Sequence, residues 1–253
     1  MSLKIVKTYG QTSVFAQRVK LRKFGVPSGG PIDPYTPSLV KAALLAEEEI
    51  PILEVLGTLE FEAKRDMTIC WMTPRAGYVK RLKKFERYRV TTIGSFAGYL
   101  GYTYRPLPER KLSGLFEPVR QLRFIPLEQR VPFDASSSLD INRQGYRFNC
   151  DLPSAFNQTP SEPACPGLIQ QTPGGQIIIL GPDGPVSGGY RRLGVVIAAD
   201  WPYLAQISVN SDYEFIPVNR EIAIHALTDV RRAVAVRSQF LRIIQQREIA
   251  KAS

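Results

Sequence analysis

Glycine and proline punctuate this chain so often that the segments between them are mostly strand-sized. The chain carries 19 Gly and 20 Pro in 253 residues. Residues 25–37 show the extreme: Gly-Val-Pro-Ser-Gly-Gly-Pro-Ile-Asp-Pro-Tyr-Thr-Pro. Four prolines and three glycines there exclude a helix or a central strand and predict a loop of fixed turns. Thr36 and Pro37 then predict a helix start, with Leu39, Val40, Ala43 and Leu44 at helical spacing and an end near 47–49, ahead of Pro51.

Further along, short apolar runs alternate with turns. Ile52–Leu56 and Thr58–Glu62 read as two strands parted by Gly57, and Met67–Met72 as a third. Residues 88–104 are strand-like, whereas 105–135 are rich in Pro and Arg and read as a linker or a degraded region. Gly175–Gly181 and Leu193–Ala199 are nearly continuous apolar runs, as expected where a barrel closes or both faces are covered. Asp200 and Pro202 predict a short helix start, and Ser211–Val218 alternates and ends a sheet. Residues 220–251 read as one long amphipathic helix, or two with a break near 236–238. Many short strands with few helices predict a mainly β protein with peripheral helices.

Composition narrows the chemistry. Cys70, Cys150 and Cys165 form no C-x-x-C pair, and His225 is the single histidine. A disulfide framework, a His-rich zinc site and most Ser-His or Cys-His nucleophile pairs are therefore disfavoured. His225 reads as a packed or surface helix residue and Cys165 as a small buried filler. No metal site, phosphate-binding P-loop or biotinyl-lysine context is seen. The first residues lack a signal-peptide pattern and no apolar run is long enough to span a bilayer, so the expectation is a cytoplasmic protein with no membrane partner. The net charge of +10 raises the case for an acidic or nucleic-acid partner. Lys80–Arg89 holds six of the 33 basic residues. A solvated face explains such a run more often than nucleic acid does, and no nucleic-acid motif accompanies it.

Several ordered motifs resemble one family. Ser161-Glu162-Pro163-Ala164-Cys165-Pro166-Gly167-Leu168-Ile169-Gln170 is similar to its SEP-x-x-PG-x-IQ signature. Pro173–Leu180, Ser187-Gly188-Gly189-Tyr190, Val196–Asp200 and Leu204-Ala205-Gln206 follow in the family's order. Asn142–Phe148 resembles its SDRMGYRL stretch, and Gly25–Asp33 and Leu53–Gly57 resemble its N-terminal motifs. The chain thus resembles the family of the 5-oxoprolinase C component, also called KipI antagonist or allophanate hydrolase subunit 2, as a divergent and shortened member. It departs from the pattern at 181–191 and at 99–105.

The resemblance implies a cyclophilin-like β-barrel split over two parts of the chain. Residues 1–130 would contribute to the barrel and a partner surface, degenerate over 65–130. Residues 131–220 would form the core and 221–253 an amphipathic helix. It also implies a KipI-like partner, the B component of 5-oxoprolinase, together with a small amide or lactam substrate and ATP used through the complex. A non-catalytic regulatory paralogue, a urea-carboxylase-type carboxyltransferase and a nucleic-acid-associated protein are the other readings.

Each candidate residue has a functional and a structural reading. Glu162, held by Pro163, is a candidate base or a turn carboxylate; Asp33 is a candidate catalytic carboxylate or an Asx-turn residue. Arg143 offers two-pronged carboxylate binding or a structural ion pair. Gln170 and Gln176 offer paired donor and acceptor to a substrate amide, or face solvent or a protein partner. Gly188, Gly189 and Tyr190 present backbone N–H groups to an anion or form a plain turn. Ser28 joins them through the 25–33 loop. The expected site is a polar hollow where that loop meets 161–170 and 187–190.

Overall fold

The computed structural model describes residues 3–14, 18–92, 96–128, 130–153 and 160–252. The chain forms two compact units. The first comprises Met1–Phe15, Asp33–Pro118 and Arg231–Ser253; the second comprises Ala16–Ile32 and Val119–Val230.

The first unit is built on a seven-stranded sheet. Its strands are β1 (Leu3–Val14), β2 (Ile52–Ala63), β3 (Met67–Met72), β4 (Ala76–Leu82), β5 (Arg87–Thr91), β6 (Gly98–Thr103) and β7 (Arg110–Ser113). The order is β1-β2-β6-β3-β4-β7, with β5 also pairing β2. Helix α1 (Thr36–Ala43) packs on β3 and β6. It ends earlier than its sequence pattern suggests, because Leu45 turns into the left-handed region at φ 51°.

The two strands expected over 52–62 are one. Gly57 does not end β2. It sits opposite Gly10 of β1, with φ at 107° and 108° respectively. A Cβ on Gly57 would lie 2.2 Å from the Tyr9 carbonyl oxygen, and one on Gly10 would lie 2.0 Å from that of Leu56. The paired glycines let two backbones touch without interrupting either strand.

In the second unit the strands are β8 (Gln121–Pro126), β9 (Phe133–Asn142), β10 (Gly145–Cys150), β11 (Glu162–Pro163), β12 (Leu168–Gln171), β13 (Ile177–Leu180), β14 (Ser187–Gly188), β15 (Arg191–Val196) and β16 (Asp212–Pro217). Seven of them close a barrel in the order β10-β13-β12-β15-β8-β16-β9, and β11 pairs with β14 apart from it. The chain is mainly β with a closed barrel, as the resemblance implies, but the barrel is not split over two parts of the chain: all seven of its strands lie within 121–217, and β1–β7 form a sheet of their own. The 105–135 stretch is not a linker: it supplies β7, β8 and the start of β9. Likewise β16 does not end a sheet but closes the barrel between β8 and β9.

Aromatic rings fill the barrel. Phe133 stacks on Phe215 at 4.7 Å, and Phe148 meets Phe215 edge-on at 5.4 Å. There is thus no polar hollow among these rings, because the alternation of β9, β10 and β16 sends large apolar side chains inward.

Asp200 does not cap the short helix α2 (Trp201–Leu204) with its side chain. Its buried carboxylate instead accepts the Arg123 backbone N–H at 2.8 Å and the Arg123 guanidinium at 2.5 Å, tying α2 to β8. Helix α3 (Arg220–Ala252) runs unbroken past 236–238. Its residues up to Val230 belong to the second unit and those from Arg231 to the first. No helix among the described residues is long and apolar enough to cross a membrane.

Candidate functional site

A cleft of about 190 Å³ lies on the barrel wall, bounded by Asn142, Gln144, Arg147, Gln170, Pro185 and Tyr190. Its apolar surface comes from Ile178 and Leu180 of β13. Strand alternation explains the placement. Ile169 pairs with Ile179 and both are fully buried, while the next pair, Gln170 with Ile178, points to the opposite face. On that face Ile178 and Val195 join a small apolar cluster with Ala164, Leu168 and Leu180.

Gln170 is the polar group of interest in this cleft. It is 2% exposed, yet its Nε2 finds no acceptor among the described residues. The neighbouring Gln171, equally buried, is satisfied: its Nε2 donates to the Leu152 carbonyl at 3.2 Å and its Oε1 accepts from Arg191 at 3.0 Å. An unmet buried donor costs about 1–3 kcal/mol. The Gly188 Cα carries no side chain between it and this amide, and a Cβ there would sit 3.5 Å from Nε2.

The loops around the cleft are held by arginines. Strand β11 pairs with β14, setting Glu162 opposite Gly188. Arg192 lies 3.0 Å from the Glu162 carboxylate and donates to the Pro163 carbonyl at 2.6 Å. Arg22 donates to the Ser28 hydroxyl at 2.6 Å and to the Ala164 carbonyl. Arg143 is almost fully buried, and its guanidinium donates to Asp183 at 2.7 Å and to the Gly30 carbonyl at 2.8 Å. Gly29 N–H donates to the Pro182 carbonyl at 2.9 Å. Gly181 leaves room for the Arg143 carbonyl, which would lie 2.2 Å from a Cβ there. Arg147, at the cleft, is paired with Asp140.

The contacts of the loop near residue 30 run to Ala164 through Arg22, to Pro182 through the Gly29 N–H, and to Asp183 through Arg143. Gln170 and Tyr190 line the cleft; Ser28, Gly188 and Glu162 lie in the segments beside it. Arg143 spends its guanidinium on internal partners. Gln176 donates to the Asn149 side chain at 2.8 Å. Asp33 belongs to the first unit. There its carboxylate accepts N–H bonds from Tyr35 at 2.8 Å and Thr36 at 3.3 Å, and the Thr36 hydroxyl, at the start of α1. Burial raises its pKa to about 6, and the charge of buried Glu54 adds to the rise. Cys165 is exposed rather than a buried filler. The desolvation it retains holds its thiol above the usual value, against the pull of Arg22 and Arg192.

Sequence reasoning missed Arg22, Arg147, Arg192 and Asp183. Arg147 stands within the Asn142–Phe148 motif, but nothing marks Arg22, Arg192 or Asp183 off from other charged residues; their spacing in the sequence carries no signal, because the contacts join segments up to 165 residues apart. The basic run at 80–89 is partly neutralised: Lys83 meets Asp66 at 3.0 Å, Arg87 meets Glu62 at 3.5 Å, and Arg89 meets Glu60.

Comparison with known proteins bears on this barrel. Residues 133–217 match the carboxyltransferase domain family, subdomain A and B. The chain is 33% identical over 105 residues to the C component of 5-oxoprolinase from Escherichia coli strain K12, covering 41% of this chain and 33% of that protein. It spans about a third of the length of that curated relative. The Kluyveromyces lactis urea amidolyase superposes with a TM-score of 0.72 at 15% identity, over 93% of this chain and 20% of that one. The Kluyveromyces lactis urea carboxylase gives 0.72 at 15% identity, over 93% and 29%. Both show the fold.

Proposed function

We propose that this chain is one half, of the 5-oxoprolinase C type, of a two-protein assembly that opens a small amide or lactam, with the Gln170 cleft as the substrate pocket. The observation that carries the reading is the buried Gln170 donor without an acceptor, on a wall also lined by Tyr190. In this reading the Gln170 amide donates to the substrate carbonyl, where negative charge grows as the bond is attacked. The Tyr190 phenol orients the ring. Glu162, set by Arg192, accepts the proton of the attacking water. The partner is a KipI-like protein of the 5-oxoprolinase B type. ATP is assigned to the assembly and not to this cleft, whose one arginine is already paired with Asp140 where a triphosphate would need several cations.

The test is reconstitution with 5-oxoprolinase proteins of the B and A types and an assay for ATP-dependent glutamate release from 5-oxoproline. Glu162→Gln is expected to lower turnover by at least about 100-fold while assembly persists. Full activity in that variant removes Glu162 from the mechanism.

A second reading has its own support. The carboxylates and guanidinium expected to do chemistry are engaged internally: Asp33 at the start of α1, Arg143 with Asp183 and Gly30, and Glu162 with Arg192. A regulatory paralogue that keeps the fold and the partner fits that pattern. Complex formation without turnover by the wild-type chain distinguishes it.

A further inference from the structure

We infer that the 3-10 turn Val19–Phe24 of the second unit is the docking element for an acidic, apolar-pocketed protein partner. The inference rests on the hetero-assembly reading and names the surface that reading needs. The sequence supplies the first observation: between residues 16 and 32 stand Arg18, Lys20, Arg22 and Lys23, and no acidic residue. Geometry supplies the second. A 3-10 helix has three residues per turn, so side chains three apart stack in rows. Lys20 and Lys23 form one row, Leu21 and Phe24 the next, and Val19 and Arg22 the third.

These rows differ in what they touch. Arg22 is spent on Ser28 and Ala164, and Arg18 meets Asp183 at 3.3 Å, so the turn is anchored to the loops beside the Gln170 cleft. By contrast Phe24 is 71% exposed, Val19 59% and Leu21 43%. Among the described residues no carboxylate pairs with Lys20 or Lys23; the Lys23 ammonium instead lies 5.0 Å from the Phe24 ring centre. The turn therefore presents an apolar ridge beside a cationic one on a fixed base. An exposed aromatic on a rigid element, flanked by unpaired lysines, suits a pocket with an acidic rim. A bilayer is the weaker fit, since so short a ridge buries too little hydrocarbon to hold a protein at a membrane unaided. Arg22 and Arg18 place a partner docked there against the loops that carry Glu162 and Ser28.

The experiment measures binding of this chain to the KipI-like protein of the same genome by titration calorimetry. Phe24→Ser and Lys20→Glu/Lys23→Glu are compared with wild type. Both variants alter exposed side chains and are expected to melt as wild type does. Each is expected to lower affinity by about tenfold or more. Wild-type affinity should fall several-fold from about 50 mM to about 300 mM salt. A wild-type chain that forms no complex overturns the assembly reading and this inference with it. A wild-type complex that both variants form with unchanged affinity leaves the assembly standing and overturns the docking assignment. So does a result in which the variants keep the protein partner but lose binding to phosphatidylglycerol vesicles, which makes the turn a membrane contact.

Discussion

Asp33 and Gln170 are both buried polar side chains, and they behave oppositely. Asp33 has its acceptors filled by Tyr35 and Thr36, yet burial without a cation lifts its pKa from 3.8 to about 6. A carboxyl raised in the folded state binds its proton more tightly there than when unfolded. Its contribution therefore favours folding at low pH and declines as pH rises from about 3.8 to about 6. Asp33→Asn should remove that slope. The stability difference between variant and wild type is expected to shift by roughly 2–3 kcal/mol in the variant's favour between about pH 4 and about pH 7, read by urea denaturation. No shift would mean that Asp33 titrates normally. Gln170 carries an unmet donor instead. Gln170→Leu should hold or raise the melting temperature, by the equivalent of about 1 kcal/mol, while abolishing ligand binding in the cleft. A marked loss of stability would show that the amide is structural.

At the scale of elements, two contacts decide whether the strands and helices stay aligned. The Gly10–Gly57 crossing lets β1 and β2, twelve residues each, pair at eleven positions. Gly57→Ala should destabilise the first unit by on the order of 2–4 kcal/mol, since it adds both an unfavourable φ and a clash with Tyr9. A thermal melt matching wild type would refute the close approach. In the barrel, Arg123→Ala would leave Asp200, at 1% exposure, buried without its cation. A loss of about 2–4 kcal/mol is expected, discounted because Arg123 itself is a third exposed.

On the scale of the whole molecule, each compact unit owns a hydrophobic core and one tryptophan. Trp71 belongs to the first unit and Trp201 to the second, and the chain has two tryptophans in all. Fluorescence of a Trp201→Phe variant thus reports unfolding of the first unit alone. Deleting residues 231–253 removes Leu241, 2% exposed, and Gln245, whose amide donates to the Ala43 carbonyl at 3.1 Å. The truncated chain should lose the Trp71 transition at lower denaturant, while Trp201 reports an unchanged barrel. Coincident loss of both signals would show that the units unfold together.

Local pattern was enough to read the strand-sized segments, the turn-rich 25–37 loop and the start of α1, because these follow from side-chain period and from glycine and proline geometry, whereas the ordered motifs from 161 to 206 were legible only through their resemblance to a family. It misread 105–135, since β8 takes its pairing from β15 and β16, far along the chain. Only the tertiary structure decided that Arg22 reaches Ala164, that Arg143 reaches Gly30 and Asp183, and that the Nε2 of Gln170, unlike that of Gln171, has no acceptor among the described residues. Such contacts depend on which distant segments the closing barrel brings side by side, and a charge or an amide looks the same in sequence whether its partner is present or missing.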